Sequence, residues 1–582
     1  MNDKRSALLG IGQVLAWTIA IFTGTMISTA VQAQPMPLPD KAAHELLLQQ
    51  QRDRELREQM GSAPNARLEE MGQLIPNETR IPDQESPCFT IERIELTGEL
   101  AEKFQWALKA ADNGPGRSVD QATGRCLGAQ GINTVMSRVQ NAIIEKGYIT
   151  TRIFAAPQDL NEGTLTLTLV PGRIRSIRWG EGSQTRTSWR AALPMREGDL
   201  LNLRDLEQAL EVFKRVPTAD ADIQIEPGAQ AGESDLVLYW QQKFPFRLNL
   251  SVDDGGSRDT GRYQGALTLS YDNWLTMNDL FYVSLNHHLA DSQGGNSRGY
   301  ALHYSIPFDG DWLLSFNGNY YKYEQDIAGI NQSYTYRGSS QNADISLSRR
   351  IYRDSSKRLN AYVKGWTRRS HNYIDDVEIE VQRRRTAGWE IGADYRQFIG
   401  NAILNANLSY RRGTGADNAL PALEEQYGEG TSRMKIVNLN ATLNVPWQIG
   451  SQYFRYYGTL RVQWNDTPLI PQDQFAIGGR YTVRGFDGRN NLMGDRGWLT
   501  RNDVGWIIGN TGQELYFGLD FGCVSGQATR YQVGQNLAGA VIGLRGGYGH
   551  VSYDAFVGTP LHKPDGFETS KFTSGFNVNV WF

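Results

Sequence analysis

The stretch Phe572-Thr-Ser-Gly-Phe-Asn-Val-Asn-Val-Trp-Phe582 closes the sequence and alternates two kinds of residue from Gly575 onward. Such period-two alternation predicts a strand with one apolar face and one wetter face. In water, a strand that ends on a bare aromatic leaves an edge open to unwanted pairing. In an outer-membrane barrel the same pattern suits the closing strand, which has lipid on one side and the lumen on the other. The stretch therefore predicts a barrel-closing strand, and the last strand of a soluble sandwich is the alternative. The apolar positions of this closing signal are Phe576, Val578, Val580 and Phe582.

The composition of the 582-residue chain narrows the class of protein. A formal net charge of −4 and a pI of about 6.1 give no global field that would favour nucleic acid. Aromatic residues make up 10% of the chain, with 14 Trp and 26 Tyr, which suits the aromatic girdles of a membrane barrel. The mean hydropathy of −0.47 is too polar for a helical membrane protein.

The same alternation recurs from residue 242 to residue 582. Clear examples are Phe246 to Val252, Tyr300 to Ile306 and Leu404 to Tyr410. Short turns such as Asp309-Gly310 separate some of these segments, and long polar stretches such as 413–433 separate others. At roughly 20 residues for a strand and its connection, the region predicts a membrane β-barrel of about 16 antiparallel strands.

The N-terminal residues 1–33 are typical of a secretory signal peptide. Lys4 and Arg5 precede a largely apolar run, and Val31-Gln-Ala33 offers a cleavage site, with Ser28-Thr-Ala30 as a rival. A retained anchor helix is the alternative. Export combined with alternating strands predicts a bacterial outer-membrane location, with any periplasmic domains preceding the barrel.

Residues 34–87 form a polar lead before the first predicted domain. Residues 41–60 lack Gly and Pro and predict a helix that is charged on nearly every side, with Asp40 as its N-cap. Such a helix needs polar surroundings to pack against, because by itself it is only marginally stable. Residues 61–87 contain four prolines and predict a linker.

Two small α+β modules follow, over residues 88–173 and 174–241. In the first, Ile132, Val135, Val139 and Ile143 lie on one helical face. In the second, Asn202 precedes an apolar helix face that runs from Leu203 to Phe213. Cys88 and Cys126 could pair in an oxidising periplasm, which would be worth about 3–4 kcal/mol. Cys523 then has no predicted disulfide partner.

Three motifs carry a resemblance to a known family. They are Phe475-Ala-Ile-Gly-Gly-Arg480-Tyr-Thr-Val-Arg484-Gly-Phe486-Asp-Gly488, then Phe517-Gly-Leu-Asp520-Phe-Gly522, and the segment 194–208. The chain resembles the TpsB outer-membrane transporters of two-partner secretion (type Vb), in the polypeptide-transport superfamily of POTRA domains and β-barrels. The resemblance implies a plug helix at 34–60, POTRA 1 at 88–173, POTRA 2 at 174–241, and a barrel whose loop 6 lies around 475–500.

The resemblance also implies how loop 6 is held. Its anchor would be Val483, Arg484, Gly485 and Phe486, and its partner on a barrel strand would be Phe517, Gly518, Asp520 and Gly522. The chemistry supports a pair between Arg484 and Asp520, because a guanidinium presents a rigid donor fork that a carboxylate accepts with both oxygens. Arg480 and Asp495 are a second, open candidate pair.

The implied function is translocation of a large unfolded TpsA partner protein, such as an adhesin, a haemolysin or a contact-dependent inhibition toxin, to the cell surface. POTRA edges would receive the partner's N-terminal secretion domain by strand addition. We expect no cofactor, no metal, no nucleic acid and no enzymatic activity, a monomer in outer-membrane lipid, and insertion of the chain itself by the BAM machinery. A contact-dependent inhibition or haemagglutinin-like partner is slightly favoured.

Other functions remain as alternatives: a membrane-protein insertase, a passive porin-like channel and, more remotely, a soluble enzyme. The sequence contains no His-Glu-x-x-His, phosphate-loop or Gly-x-Ser-x-Gly motif. His287 and His288 are adjacent on a predicted strand and therefore face opposite ways, which disfavours a metal site. Asp253-Asp254 favours a hairpin turn over a calcium loop. The run Arg173, Arg175 and Arg178 could bind an acidic segment, although a solvated face is favoured.

Overall fold

The computed structural model describes residues 38–61, 66–68, 80–114, 118–290, 295–328 and 331–582. The predicted signal peptide and most of the predicted linker lie outside the described residues. The helix predicted at 41–60 is α1, Leu38–Met60. It begins before Asp40, so Asp40 lies within the helix rather than at its N-cap. None of the helices in the described parts of the chain is both long and apolar enough to cross a membrane.

The first α+β module contains a three-stranded sheet and one long helix. Its elements are β1 Phe89–Ile91, β2 Arg93–Gly98, α2 Ala101–Phe104, a 3₁₀ turn Gln105–Ala110, β3 Arg125–Leu127, α3 Ala129–Glu145, β4 Arg152–Phe154 and β5 Thr164–Val170. The sheet order is β2-β5-β4, with β2 and β5 parallel. The predicted helical face of α3 is buried against this sheet through Val135, Val139 and Ile143. Cys88 and Cys126 form a disulfide beside the separate β1–β3 pair.

The second module repeats this architecture. Its elements are β6 Arg173–Trp179, α4 Trp189–Ala192, α5 Leu203–Phe213, β7 Ala219–Pro227 and β8 Glu233–Gln242. The sheet order is β6-β8-β7, and the apolar face of α5 packs on it around Trp240. Asn202 caps α5 as predicted, because its side-chain oxygen accepts the Arg204 N–H at 2.9 Å.

A closed barrel accounts for the rest of the chain. Its region contains β9 Phe246–Asp253, β10 Tyr263–Asp272, β11 Leu280–Ala290, β12 Asn296–Phe308, β13 Trp312–Ala328, β14 Ser333–Arg353, β15 Lys357–Ile374, β16 Val377–Glu378, β17 Arg384–Ile399, β18 Ala402–Thr414, β19 Lys435–Ile449, β20 Gln452–Asn465, β21 Phe475–Ile477, β22 Leu492–Gly494, β23 Arg496–Ile508, β24 Gln513–Ser525, β25 Asn536–Tyr548, β26 Val551–His562 and β27 Thr573–Trp581. Short 3₁₀ turns lie at Glu380–Gln382, Ala416–Asn418, Leu423–Tyr427, Pro471–Asp473 and Gln527–Tyr531.

Sixteen of these strands close the barrel, and all of their pairings are antiparallel. The two-residue β16 only extends β15, and β21 pairs with β22 apart from the wall. The first barrel strand, β9, meets the last, β27, with Leu250 opposite Val580. Phe582 extends this seam, because its N–H donates to the Leu248 carbonyl at 2.8 Å. The predicted fold, a barrel of about 16 strands preceded by two α+β modules and a helix, is confirmed.

The distribution of apolar and polar residues across the barrel wall is the reverse of that in a soluble protein. On β10, Leu269 is 48% exposed on the outside, whereas its neighbour Ser270 is 1% exposed on the inside. The closing strand follows the same rule, with Asn579 buried inside and Phe582 65% exposed. An apolar outer face and a polar inner face suit a barrel that sits in lipid.

The two ends of the barrel differ in their connections. One end carries tight turns, including the predicted turn at Asp309-Gly310, and the second module docks there: the Gly310 N–H donates to the Ala191 carbonyl of α4 at 3.0 Å. The other end carries longer connections, among them the polar stretch after β18. The connection between β20 and β23, residues 466–495, is the sixth at this end, and we call it loop 6.

Candidate functional site in the barrel lumen

Helix α1 lies inside the barrel, a location that the sequence alone could not fix. Near its N-terminal end, Glu45 accepts a hydrogen bond from Thr260 at 3.1 Å, in the connection between β9 and β10. In its middle, Asp53 accepts one from Asn319 of β13 at 2.7 Å. Further wall contacts are Arg52–Asp253 at 3.7 Å, Asn577–Glu55 at 3.4 Å and Arg57–Asp344 at 3.8 Å. The helix therefore lies within the lumen and contacts its wall along much of its length.

The composition of α1 explains why it fits there. A helix that is polar on nearly every side suits a lumen whose walls are polar on every side. Its few apolar contacts are small: Ala42 packs against Tyr321, Tyr323 and Tyr336, and Leu47 lies near Met493 of loop 6. Hydrogen bonds and ion pairs therefore dominate the attachment of α1 to the wall.

Loop 6 folds back into the barrel and brings its tip, residues 483–486, against the inner wall. Gly485 has a φ of +94°, and a Cβ at this position would lie 2.5 Å from the Thr559 carbonyl oxygen of β26. Both the backbone conformation and the close approach therefore require glycine. Phe486 is buried and packs edge-on against Phe567, with ring centroids 5.8 Å apart.

Arg484 is the residue by which the tip is attached to the wall. Its Nε and Nη2 donate to the two carboxylate oxygens of Asp520, each at 2.7 Å, and its backbone N–H donates to Asp520 Oδ2 at 2.8 Å. The two residues are 2% and 0% exposed. The pair expected from the motifs is thus present as a bidentate, fully buried contact, the strong form of the arginine–carboxylate bond.

A second carboxylate, which the sequence reasoning missed, completes the anchor. Asp503 of β23 accepts from Arg484 Nη2 at 2.5 Å and from Arg545 of β25 at 3.1 Å. Arg545 in turn donates to Glu514 at 2.6 Å. Tyr516 lies beneath both cations, with its ring centroid 5.9 Å from Arg484 and 4.6 Å from Arg545. Arg484 therefore sits in an alternating charge network that spans three strands.

The glycines of the partner strand leave room for this network. A Cβ at Gly518 would lie 2.6 Å from Asp503 and 2.8 Å from Arg484, and a Cβ at Gly522 would lie 2.8 Å from Val483. Phe517 departs from the expectation. Because successive strand residues face opposite ways, Phe517 lies on the outer face and is 50% exposed, so its prediction as a partner of loop 6 is wrong.

Arg480 and Asp495 do not pair with each other, and that open possibility is wrong. Arg480 forms an ion pair with Asp254, just after β9, and also donates to the Phe576 carbonyl of β27 at 3.0 Å. Asp254 accepts the Phe576 N–H at 2.8 Å. Loop 6 thus touches the β9–β27 seam through Arg480. Asp495 accepts the backbone N–H groups of Leu469 and Ala528 instead.

The remaining motifs have structural partners. Arg173 and Arg178 each pair with a glutamate, Glu99 and Glu226, at 2.5 Å, so neither forms an open basic patch. Hydrogen bonds from Arg175 and then Ser176 lower the pKa of Asp235 to about 2. The side chain of His287 turns to the His288 carbonyl, and no cluster of metal-binding side chains occurs within the described ranges.

Comparisons with known proteins agree with this architecture. The family described as haemolysin secretion/activation protein ShlB/FhaC/HecB matches residues 232–546, a ShlB-type POTRA domain matches 89–172, and a further POTRA domain matches 173–227. The chain is 36% identical to the outer membrane transporter CdiB-2 of Burkholderia pseudomallei, over 96% of this chain and 98% of that protein. It is 26% identical to the hemolysin transporter protein ShlB of Serratia marcescens, over 65% of this chain and 67% of that protein.

A solved structure gives the same result in three dimensions. CdiB from Acinetobacter baumannii superposes with a TM-score of 0.80 at 29% identity, covering 96% of this chain and 100% of that chain. The family match includes most of the barrel and the whole of the loop 6 anchor, and both modules upstream match POTRA domains. This chain therefore belongs to the ShlB/FhaC/HecB family of haemolysin secretion/activation proteins and is an outer-membrane transporter of the TpsB type.

Proposed function

We propose that this transporter moves one large unfolded TpsA protein from the periplasm to the cell surface, and that α1 is a removable plug in its path. The observation that carries the proposal is the nature of the plug: a separate helix, attached to the lumen wall mainly by side-chain hydrogen bonds and ion pairs. Such contacts can exchange with water or with a passing chain at modest cost, because the net value of a hydrogen bond is only about 1 kcal/mol.

The two POTRA domains supply the receiving surface. In the first, the sheet order leaves β2 and β4 at its edges, and in the second it leaves β6 and β7. An extended segment of the partner binds such an edge through main-chain hydrogen bonds, which depend little on sequence. The side chains beside the edge then provide the selection of one N-terminal secretion domain.

Loop 6 keeps the conduit in shape while the plug is absent. Its anchor on Asp520 and Asp503 lies on the wall, and Arg480 ties the loop to the β9–β27 seam. Neither contact depends on a covalent link to α1. The wall can therefore retain its loop when α1 leaves, and folding of the partner outside the cell supplies the direction of transport.

The partner belongs to the class of large exported adhesins, haemolysins and contact-dependent toxins. Support comes from the relatives, which are named as CdiB and hemolysin transporters. The transporter carries out no chemical reaction, needs no cofactor and acts as a monomer after insertion by the BAM machinery.

Secretion itself tests the proposal. The chain is expressed with the large exported protein encoded beside it, and the partner is assayed at the surface and in the medium. We expect export with the intact transporter and a reduction of at least tenfold with Arg484→Ala, while the barrel remains inserted. Arg489→Ala is the matched control, because Arg489 lies in the same loop with a 54% exposed side chain.

Two results would contradict the proposal. If the partner reaches the surface without the transporter, and other barrels are depleted when its gene is lost, the chain is an insertase. If deletion of residues 38–60 leaves a steady small-solute conductance unchanged, α1 is not a plug and a passive porin is the better description.

A further inference from the structure

The second POTRA domain meets the barrel through a compact cluster of opposite charges, which we call the joint. Three acids of α5, Asp205, Glu207 and Glu211, face three arginines at the turn between β14 and β15. The contacts are Arg350–Asp205 at 2.6 Å, Arg353–Glu211 at 3.0 Å, Arg353–Glu207 at 3.4 Å and an Arg358–Glu211 pair. The side chains of Arg353, Glu207 and Glu211 are 6%, 2% and 7% exposed, so the centre of the joint is shielded from water.

A short piece of the predicted linker is built into this joint. The Ala66 carbonyl accepts from Arg353 Nη2 at 3.0 Å, and the Leu68 N–H donates to Glu207 Oε1 at 3.2 Å. The guanidinium of Arg67 lies 3.4 Å from the ring centroid of Phe398, at the end of β17. Ala66 and Leu68 also pack on the apolar core of the second POTRA domain. Each residue of the segment 66–68 thus has a partner in the domain, in the barrel or in both.

The position of this segment limits how far α1 can move. The helix has 23 residues and is therefore about 35 Å long. Glu45, near its N-terminal end, contacts the long-connection end of the barrel, whereas Arg57 contacts Asp344 of β14, on the way to the joint. To leave the lumen toward the POTRA domains, α1 must move by about its own length. Residues 61–65 span at most about 20 Å when fully extended. With Ala66 held at the POTRA end of the barrel, the C-terminal end of α1 can therefore pass that end by only about 20 Å, which is less than the length of the helix.

We propose that residues 66–68 are a latch that holds the plug in the lumen until the joint opens. The inference rests on the proposed function, because it concerns the exit of α1. While the latch is docked, the tether is too short for the helix to clear the lumen. Arg353 and Glu207 hold both the latch and each other. A shift of the second POTRA domain that separates them breaks the contacts of the latch with the barrel, through Arg353 and Phe398, and the tether then follows the domain. Binding of the partner to the POTRA domains is thereby coupled to opening of the lumen.

Tether length provides the test, since the latch divides the linker into two parts with different roles. A flexible insertion of ten Gly and Ser residues between Gly61 and Ala66 lengthens the tether of the plug. The same insertion between Leu68 and Arg80 lengthens only the connection to the first POTRA domain. The full-length transporter carrying either insertion is reconstituted in planar bilayers, and the frequency of large-conductance openings is recorded without any partner.

We expect the first insertion to raise the opening frequency about tenfold and the second to leave it within twofold of the parent. Arg67→Ala should also raise it about tenfold, the scale of a desolvated cation–π contact, whereas Arg80→Ala, in an exposed part of the linker, should not. Combined with the first insertion, Arg67→Ala should add little, because both relieve the same restraint.

Equal effects of the two insertions, or no effect of either, would overturn the latch. Failure of the proposed function has a different signature, because it is read from secretion of the partner and from deletion of residues 38–60. A transporter that secretes its partner and opens on deletion of α1, yet ignores the position of the insertion, retains its function and loses only the latch.

Discussion

Arg484 and Asp520 are joined by three hydrogen bonds, one of which comes from the Arg484 backbone at 2.8 Å. The side chain and the main chain of the loop tip therefore converge on one carboxylate. Asp503 contacts only the side chain of Arg484 and shares its charge with Arg545. The two aspartates consequently have unequal roles: Asp520 fixes the path of the loop, and Asp503 balances the charge of the cluster.

The first prediction follows from the different roles of Asp520 and Asp503. Asp520→Asn should reduce secretion more strongly than Asp503→Asn, because it weakens the side-chain and backbone bonds at once. Removal of one partner of a buried ion pair costs about 3–5 kcal/mol, which is enough to displace the loop. Limited proteolysis of loop 6 in intact cells, together with secretion of the partner, measures both effects. Similar phenotypes for the two substitutions would argue against a special role for the backbone bond.

The second prediction concerns the approach of the tip to the wall. Gly485→Ala should impair secretion, because the new methyl group would lie 2.5 Å from the Thr559 carbonyl oxygen at a φ of +94°. Gly488→Ala is the matched control: its φ is +73°, but no atom lies within 4 Å of a Cβ there. Both variants carry the strain of a positive φ, on the order of 1–2 kcal/mol. A greater loss of secretion at Gly485 than at Gly488 therefore reports the close packing of the tip together with the larger strain of its φ, and equal losses would show that neither is important.

The fold was predictable from the sequence to a large extent because its signals are local. Alternation along each strand fixes which face meets lipid, as at Leu269 and Ser270. The helices α3 and α5 carry their apolar faces and, in α5, a cap within about a dozen residues. The pairing of Arg484 with Asp520 follows from the resemblance of their two motifs to loop 6 and its partner strand, and the chemical match of a guanidinium with a carboxylate supports it.

The rest of the site depends on pairing between distant strands, which local patterns do not contain. Asp503 lies opposite Gly518 only because β23 and β24 adopt one particular register. Asp254 meets Arg480 only because β9 closes on β27. Asp495 was a plausible partner for Arg480 by residue type, but two backbone N–H groups already occupy its carboxylate. The location of α1 likewise required the closed lumen.

The third prediction concerns the attachment of the plug. Asp53→Ala should raise the frequency of large-conductance openings about tenfold, because Asn319 loses its acceptor on the helix and a hydrogen bond to a charged group is worth about 1.5–3 kcal/mol. Asp53→Asn keeps an acceptor and should have a smaller effect. Glu58→Ala, an exposed acid on the same helix, serves as the control in planar-bilayer recordings. If Glu58→Ala opens the channel as often as Asp53→Ala, the change in helix charge is responsible and the Asn319 contact is not.

The fourth prediction separates two roles of Phe582. Phe582 donates its N–H to the Leu248 carbonyl at 2.8 Å and accepts the Leu248 N–H at 3.0 Å, so its backbone extends the seam between the first and last strands. Its ring points outward and is largely exposed. Phe582→Ala keeps both main-chain bonds and removes only the ring, whereas deletion of Phe582 removes the ring and both main-chain bonds.

Heat-modifiable migration of the barrel on gels measures the outcome, since a folded barrel migrates differently from an unfolded one. If the ring serves as an assembly signal, Phe582→Ala and the deletion should reduce the folded fraction equally. If the main-chain bonds of the seam are needed for folding, only the deletion should reduce the folded fraction, and the barrel that still folds should unfold at a lower temperature. We expect both variants to reduce the amount of inserted barrel equally. We expect only the deletion to lower the unfolding temperature, because the exposed ring adds nothing to the packing of the seam. A stability loss in Phe582→Ala as large as in the deletion would contradict that division.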